Sequence, residues 1–381
     1  MSWPLCLAPG HVLADPARLD SSGPWARADL DLLVWILAWV AHALRTQPAA
    51  LFQANIFHPA PDALASSEHL IGLAPLAAPV FWLSGNAVLA YNLTLFAVVW
   101  IAAVATCALV RTWTGNAAAG FFAGAAFAFA PLVTGSWIRL HVSAVHLFPL
   151  LLLLAWRVAR RPRASDVVAL AIVTSLQFLS GAYVGFELIA LLIAFSPALL
   201  STARSSGDGG RFGLVATVSA LAVGALAAAP SMLPYLRVRA AGQLPSFESS
   251  LKMVLLSAPT PLGVGAELGR ELTWPVTTLA VVGLLWPGRV ARPVKLGLAL
   301  VALLGAVLSA GPRLPLVPGT GLPSLYEIAM HVVPACARPR ASSCYRSSRS
   351  PCSPGSPAGR SPTPREQRRH GDGTRASCPP W

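Results

Sequence analysis

The stretch 87-AVLAYNLTLFAVVWIAAVATCALV-110 runs for 24 residues without one charged side chain. A helix of that length rises roughly 36 Å, enough to cross a hydrocarbon core about 30 Å thick. Inside a bilayer every backbone N–H and C=O must find its partner within the protein, so only helices and closed barrels cross. A barrel strand needs only about ten residues of alternating character, and this run neither alternates nor stops there. Comparable apolar runs recur as far as residue 310. The expected fold is therefore all-α, a polytopic helical membrane bundle. The chain is only 11% charged, against roughly 25% in soluble domains, which agrees with that class.

Working outward, crossings are expected near residues 87–110, 117–137, 142–158, 167–179, 183–200, 212–233, 272–286 and 294–310. The loops orient them. Arg111, the group Arg157, Arg160, Arg161 and Arg163, the pair Arg204 and Arg211, and the group Arg289, Arg292 and Lys295 fall on alternate connections, all on one face. The positive-inside rule makes that face cytoplasmic. The net charge of +13 thus has a membrane explanation. Much of the rest of it lies in the Arg-, Ser- and Pro-rich tail, so no nucleic-acid partner is expected. No cysteine spacing matches a zinc site.

Four regions follow. Residues 1–28 read as the remnant of a first membrane helix and the start of an outer loop. Residues 29–86 read as an extracytoplasmic loop with interfacial helices, one at 32–44 and a second apolar piece at 69–83 broken by Pro75 and Pro79. Residues 87–334 form the membrane bundle. Residues 335–381 read as a disordered basic tail. Taken from the third base of TCN serine codons, Ser342, Ser343, Ser347 and Ser348 become apolar, so this tail is expected to be a frameshift product.

Several residues stand out on that outer face. Asp29 and Asp31 precede the tryptophan-rich run 32–44, where plain helix-start carboxylates would also be at home. Glu68 and His69 lie side by side, placed either to orient a substrate, to hold a divalent metal, or simply to cap an interfacial helix. His58 precedes Pro59. Arg139, His141 and His146 gather at an outer helix end, where an arginine can also merely snorkel. Arg237 and Arg239 follow a helix on the same side. Glu187 lies just inside a helix, where a charge is expensive.

The blocks "ADLDLLVWILAWVAHAL", "LFQANIFHPAPDALASSEHLIG", "GNAVLAYNL" and "AGAAFAFAP" resemble a bacterial group of multi-spanning glycosyltransferases of the C-type superfamily. These enzymes use polyprenyl-phosphate sugars. The likeness covers roughly residues 3–334 and is most specific in the first outer loop. Asp29 matches the acid of the group's Gly-Asp pair, with Ala28 in place of the glycine. Asn55, Ile56, Phe57 and Pro59 match its second block, and Ser67, Glu68, His69 and Leu70 its third.

The resemblance implies sugar transfer to a lipid or glycan hydroxyl at the extracytoplasmic face of the inner membrane. Asp29, with Asp31 and Glu68 in reserve, would be the base that takes the acceptor's proton. His58, His69, Arg139, His141 and Arg237 would contact substrate, the arginines holding the lipid phosphate through the guanidinium fork. The bilayer, the lipid-linked donor and the acceptor are the expected partners. The competing class is a transporter or flippase, which calls for midplane polar residues and repeated halves that are not evident. A non-catalytic fragment of the enzyme family is the third alternative.

Overall fold

The computed structural model describes residues 8–11, 24–130, 140–243, 274–285, 288 and 290–309. Among these residues all regular structure is helical. The α-helices are α1 (Pro24–Thr46), α2 (Ala74–Ser84), α3 (Ala87–Thr114), α4 (Ala117–Ala128), α5 (Leu140–Ser143), α6 (Phe148–Arg160), α7 (Ala164–Leu179), α8 (Ala182–Arg204), α9 (Asp208–Ala228), α10 (Leu233–Ala240), α11 (Trp274–Leu285) and α12 (Arg292–Ser309). Short 3-10 turns at Pro48–Ala50, Ala63–Ser66, Ile71–Leu73 and Ala229–Met232 punctuate them. The chain divides into a unit of Met1–Ser342 and one of Ser343–Trp381. The tail and its expected frameshift lie outside the described residues, as do most of residues 1–28.

Among the described residues three helical runs are long and apolar enough to cross a membrane: Ala87–Thr114, Val184–Arg204 and Gly209–Ala240. The first is bounded by its own chemistry. Asn86 Oδ1 accepts from Leu89 N at 2.9 Å, and Gly115 closes the other end at φ 68°. Asn116 then caps α4 by accepting from Ala118 N and Ala119 N at 2.9 and 3.2 Å. Two caps within two residues force a tight hairpin. The glycines of α4 let it lie close on α3: a Cβ at Gly124 would stand 2.5 Å from the Ala103 carbonyl oxygen, and one at Gly120 2.7 Å from that of Cys107. Phe121 and Phe122 face outward instead.

Helix α6 occupies the centre and packs on α3, α7, α8 and α9. Its run Leu151–Ala155 is buried at every position, as expected of a helix apolar all round. The helix ends then sort themselves. Arg157 at the end of α6 reaches Asp166 at the start of α7 at 3.1 Å. Gly213 near the start of α9 lies against the Val158 and Ala159 carbonyls, and Gly297 near the start of α12 lies against Phe195 and Ala198 of α8. Trp113, at the end of α3, stacks on the same Phe195 at 5.9 Å. The helix ends carrying Arg111, Arg157, Arg160, Arg204, Arg211 and Arg292 thus converge at one end of the bundle. At the other end, Gln177 of α7 donates to Ala144 O at 2.8 Å, and Gly72 seats against Leu176 and Ser180.

Helix α1 departs from expectation. It begins at Pro24 rather than near residue 32, so Asp29 and Asp31 lie within the helix and not in front of it. Proline suits the first helical position, and Leu30, fully buried, extends the apolar face back by a turn. Leu33, Ile36, Leu37 and Val40 continue that face into the cluster shared with α2 and α3. Trp39 Nε1 donates to Leu51 O and Trp82 Nε1 to Ala41 O, each at 2.8 Å, which fixes both flanks of α1. Helix α2, with 11 residues, rises about 17 Å and is too short to cross.

Candidate functional site

The loop between α1 and α2 folds back as a compact layer, and Asp62 is its anchor. Asp62 is buried at φ 52°. Gln53 Nε2 donates to Asp62 Oδ1 at 2.9 Å, while Asp62 N donates to Gln53 Oε1 at 3.1 Å. Arg237 of α10 completes the set, with Nε to Oδ2 at 2.7 Å and Nη2 to Oδ1 at 2.9 Å. This is the two-pronged geometry in which a guanidinium matches a carboxylate best. The pair is lopsided: the Arg237 side chain is 61% exposed and that of Asp62 6%.

Glu68 and His69 lie just beyond, and both are buried, His69 completely. His69 Nδ1 accepts from Ile71 N at 3.2 Å, which leaves Nε2 as the protonated nitrogen of a neutral ring. Phe52 meets the imidazole edge-on at 5.8 Å, and Tyr235 of α10 covers it at 6.0 Å. Tyr235 OH donates to Ser67 O at 2.7 Å, so α10 is bonded to the residue before Glu68. The Glu68 carboxylate rests against the turn joining α7 to α8, where a Cβ on Gly181 would stand 3.2 Å from Oε2. A glycine there lets the turn approach the acid. A carboxylate, an imidazole with a defined tautomer and a carboxylate–guanidinium pair therefore share one layer at the end of the bundle opposite the basic helix ends. Such a set can accept a proton, orient a hydroxyl and offer charge to an anion.

The other expected site residues fall as follows. Asp29 is half-buried and Asp31 exposed on α1. Leu30 lies in the same apolar cluster as Leu70 and Leu73, so the helix bearing these acids adjoins the Glu68–His69 segment. His58 is exposed beside Phe57 on the loop surface. His141 is half-buried in α5, and Arg139 lies outside the described residues. His146 is buried between α5 and α6. Among the described residues no three His, Cys, Asp or Glu side chains come together to hold a metal ion. Gln53, Phe52, Asp62 and Tyr235 were not singled out from the sequence. Asp62 was one outer-loop carboxylate among many, and Tyr235 lies 168 positions from the residue it bonds. No family model, curated protein or solved structure matches the chain.

Proposed function

We propose that this protein is a membrane glycosyltransferase that moves a sugar from a polyprenyl-phosphate donor to a lipid or glycan hydroxyl at the extracytoplasmic face. The observation that carries the reading is the buried Glu68–His69 pair, held in an ordered loop layer at the bundle end opposite the helix ends that carry Arg157, Arg160 and Arg204. An acid beside an imidazole in an ordered loop layer suits a reaction in which a proton is taken from a hydroxyl. In the transfer, the acceptor oxygen forms a bond to the anomeric carbon as that carbon's bond to the phosphate oxygen breaks. The acceptor proton passes to a carboxylate, and the lipid phosphate leaves with the bonding electrons. Glu68 is the carboxylate best placed for this role, with Asp29 and then Asp31 on the neighbouring helix as its competitors. His69 orients the acceptor. The protein is read as multi-pass in the bacterial inner membrane.

Deletion of the gene is expected to remove a sugar from an envelope lipid or glycan. The wild-type gene should restore it and the Glu68→Gln variant should not, since general-base catalysis contributes on the order of 10²–10⁴-fold. An unchanged lipid and glycan profile in the deletion strain would sink the proposal. Altered solute uptake instead would favour a transporter. Full activity in Glu68→Gln with loss in Asp29→Asn would move the base to α1.

A further inference from the structure

Helix α10 sits where a cover would. The apolar run Gly209–Ala240 is not α-helical throughout: the 3-10 turn Ala229–Met232 interrupts it, with Pro230 inside the interruption and Pro234 just after it. Proline removes a backbone donor and clashes with the preceding turn, so this is where a helix bends. Beyond the break α10 has only eight residues, of which Pro234, Tyr235 and Val238 are buried. Those residues rest on the loop, with Tyr235 and Val238 forming a small cluster with Ala65, flanked by Phe52 and Met232. Leu233, Leu236, Arg237 and Arg239 face outward. The main contacts of α10 are with the 3-10 turn of its own break and with the Ala63–Ser66 turn. What it covers is His69, beneath Tyr235, and what pins its far end is the Arg237 fork on Asp62.

We infer that α10 is a hinged cover over the Glu68–His69 segment, latched by the Asp62–Arg237 pair and swinging at Ala229–Met232. Closed, it leaves His69 with no exposed surface, so no acceptor reaches the ring. Opening parts the latch, the Tyr235–Ser67 bond and the buried Pro234, Tyr235 and Val238 from the loop, while the bundle core under α6 stays packed. Local openings of this kind draw on the least buried elements of a fold. Arg237 then acts through Asp62 as a positioning residue. The inference gives the proposed site its means of access, yet it concerns only what covers what, and its test does not depend on sugar transfer.

The test is thiol labelling of the full chain in membranes, with its own cysteines replaced. Ala65→Cys places a thiol beneath α10, and Ala77→Cys places one in the α1–α2–α3 cluster, which α10 does not cover. Arg237→Gln and Asp62→Asn each break the latch. The Ala65→Cys labelling rate is expected to rise about two- to fivefold in either latch variant, because labelling tracks the opening equilibrium. The Ala77→Cys rate should stay unchanged. No rise at Ala65→Cys would mean that the pair does not hold the cover. A parallel rise at both positions would mean that the whole layer loosens. Either result overturns the inference.

Discussion

Asp62 accepts from Gln53 and Arg237 while its backbone sits at φ 52°, a left-handed conformation that asparagine tolerates and alanine resists. The two substitutions should therefore separate. Asp62→Asn keeps the backbone and an oxygen for Gln53 but loses the charge opposite a largely exposed guanidinium, which should cost little. Asp62→Ala loses the hydrogen bonds as well and adds strain, for about 1–3 kcal/mol. Thermal unfolding in detergent would rank them, and equal losses would show that the bonds to Gln53 carry no net stability. The importance of this residue could not be read locally. Its guanidinium partner is 175 positions away, and no periodicity links a loop carboxylate to a helix arginine across that distance. Glu68 and His69 stand out in the sequence as an acid beside an imidazole, but the packing of Tyr235 on His69 does not.

At the scale of elements, the apolar runs placed most helices within a few residues, because a run with no charges leaves a membrane helix few other ways to satisfy its backbone. The errors lie where burial is one-sided. The periodic face of α1 begins at Leu30, between the two carboxylates that suggested a helix start, and the helix runs through them from Pro24. Leu37, 1% exposed, belongs to that face. Leu37→Ala is expected to cost about 2–5 kcal/mol, while Asp31→Ala on the exposed side should stay within about 0.5 kcal/mol. Similar losses from both would mean that α1 does not pack on α2 and α3 through this face. The close approach of α9 to α6 is tested differently. A Cβ at Gly213 would meet the Val158 and Ala159 carbonyl oxygens at 2.6 Å. Because those are backbone atoms of the central helix, Gly213→Val should destabilise by about 1–3 kcal/mol. An unchanged unfolding midpoint would contradict the packing.

Over the whole molecule, the fold gathers two kinds of chemistry at opposite ends. The carboxyl end of α6 meets the amino ends of α7 and α9, and α8 turns into α9 beside them, so the connections bearing Arg157, Arg160, Arg161, Arg204 and Arg211 lie together. The carboxyl end of α7 and the start of α8 meet Gly72 and Glu68 instead, which puts the Asp62, Glu68 and His69 layer at the far end. Arginine-rich short loops are retained on the cytoplasmic side of a membrane, so this segregation predicts sidedness. A cysteine at His58, exposed on the loop surface, and one at Arg161, exposed in the α6–α7 turn, sample the two ends. In intact cells an impermeant maleimide should label His58→Cys readily. Arg161→Cys should react only once the membrane is opened. Both positions are exposed in the folded protein, so a difference between them reports the membrane and not burial. Labelling of both from outside would place the arginines on the wrong side for the positive-inside rule. Protection of His58→Cys with reaction at Arg161→Cys would invert the bundle and put the Glu68–His69 layer in the cytoplasm, which would rule out the proposed transfer at the outer face.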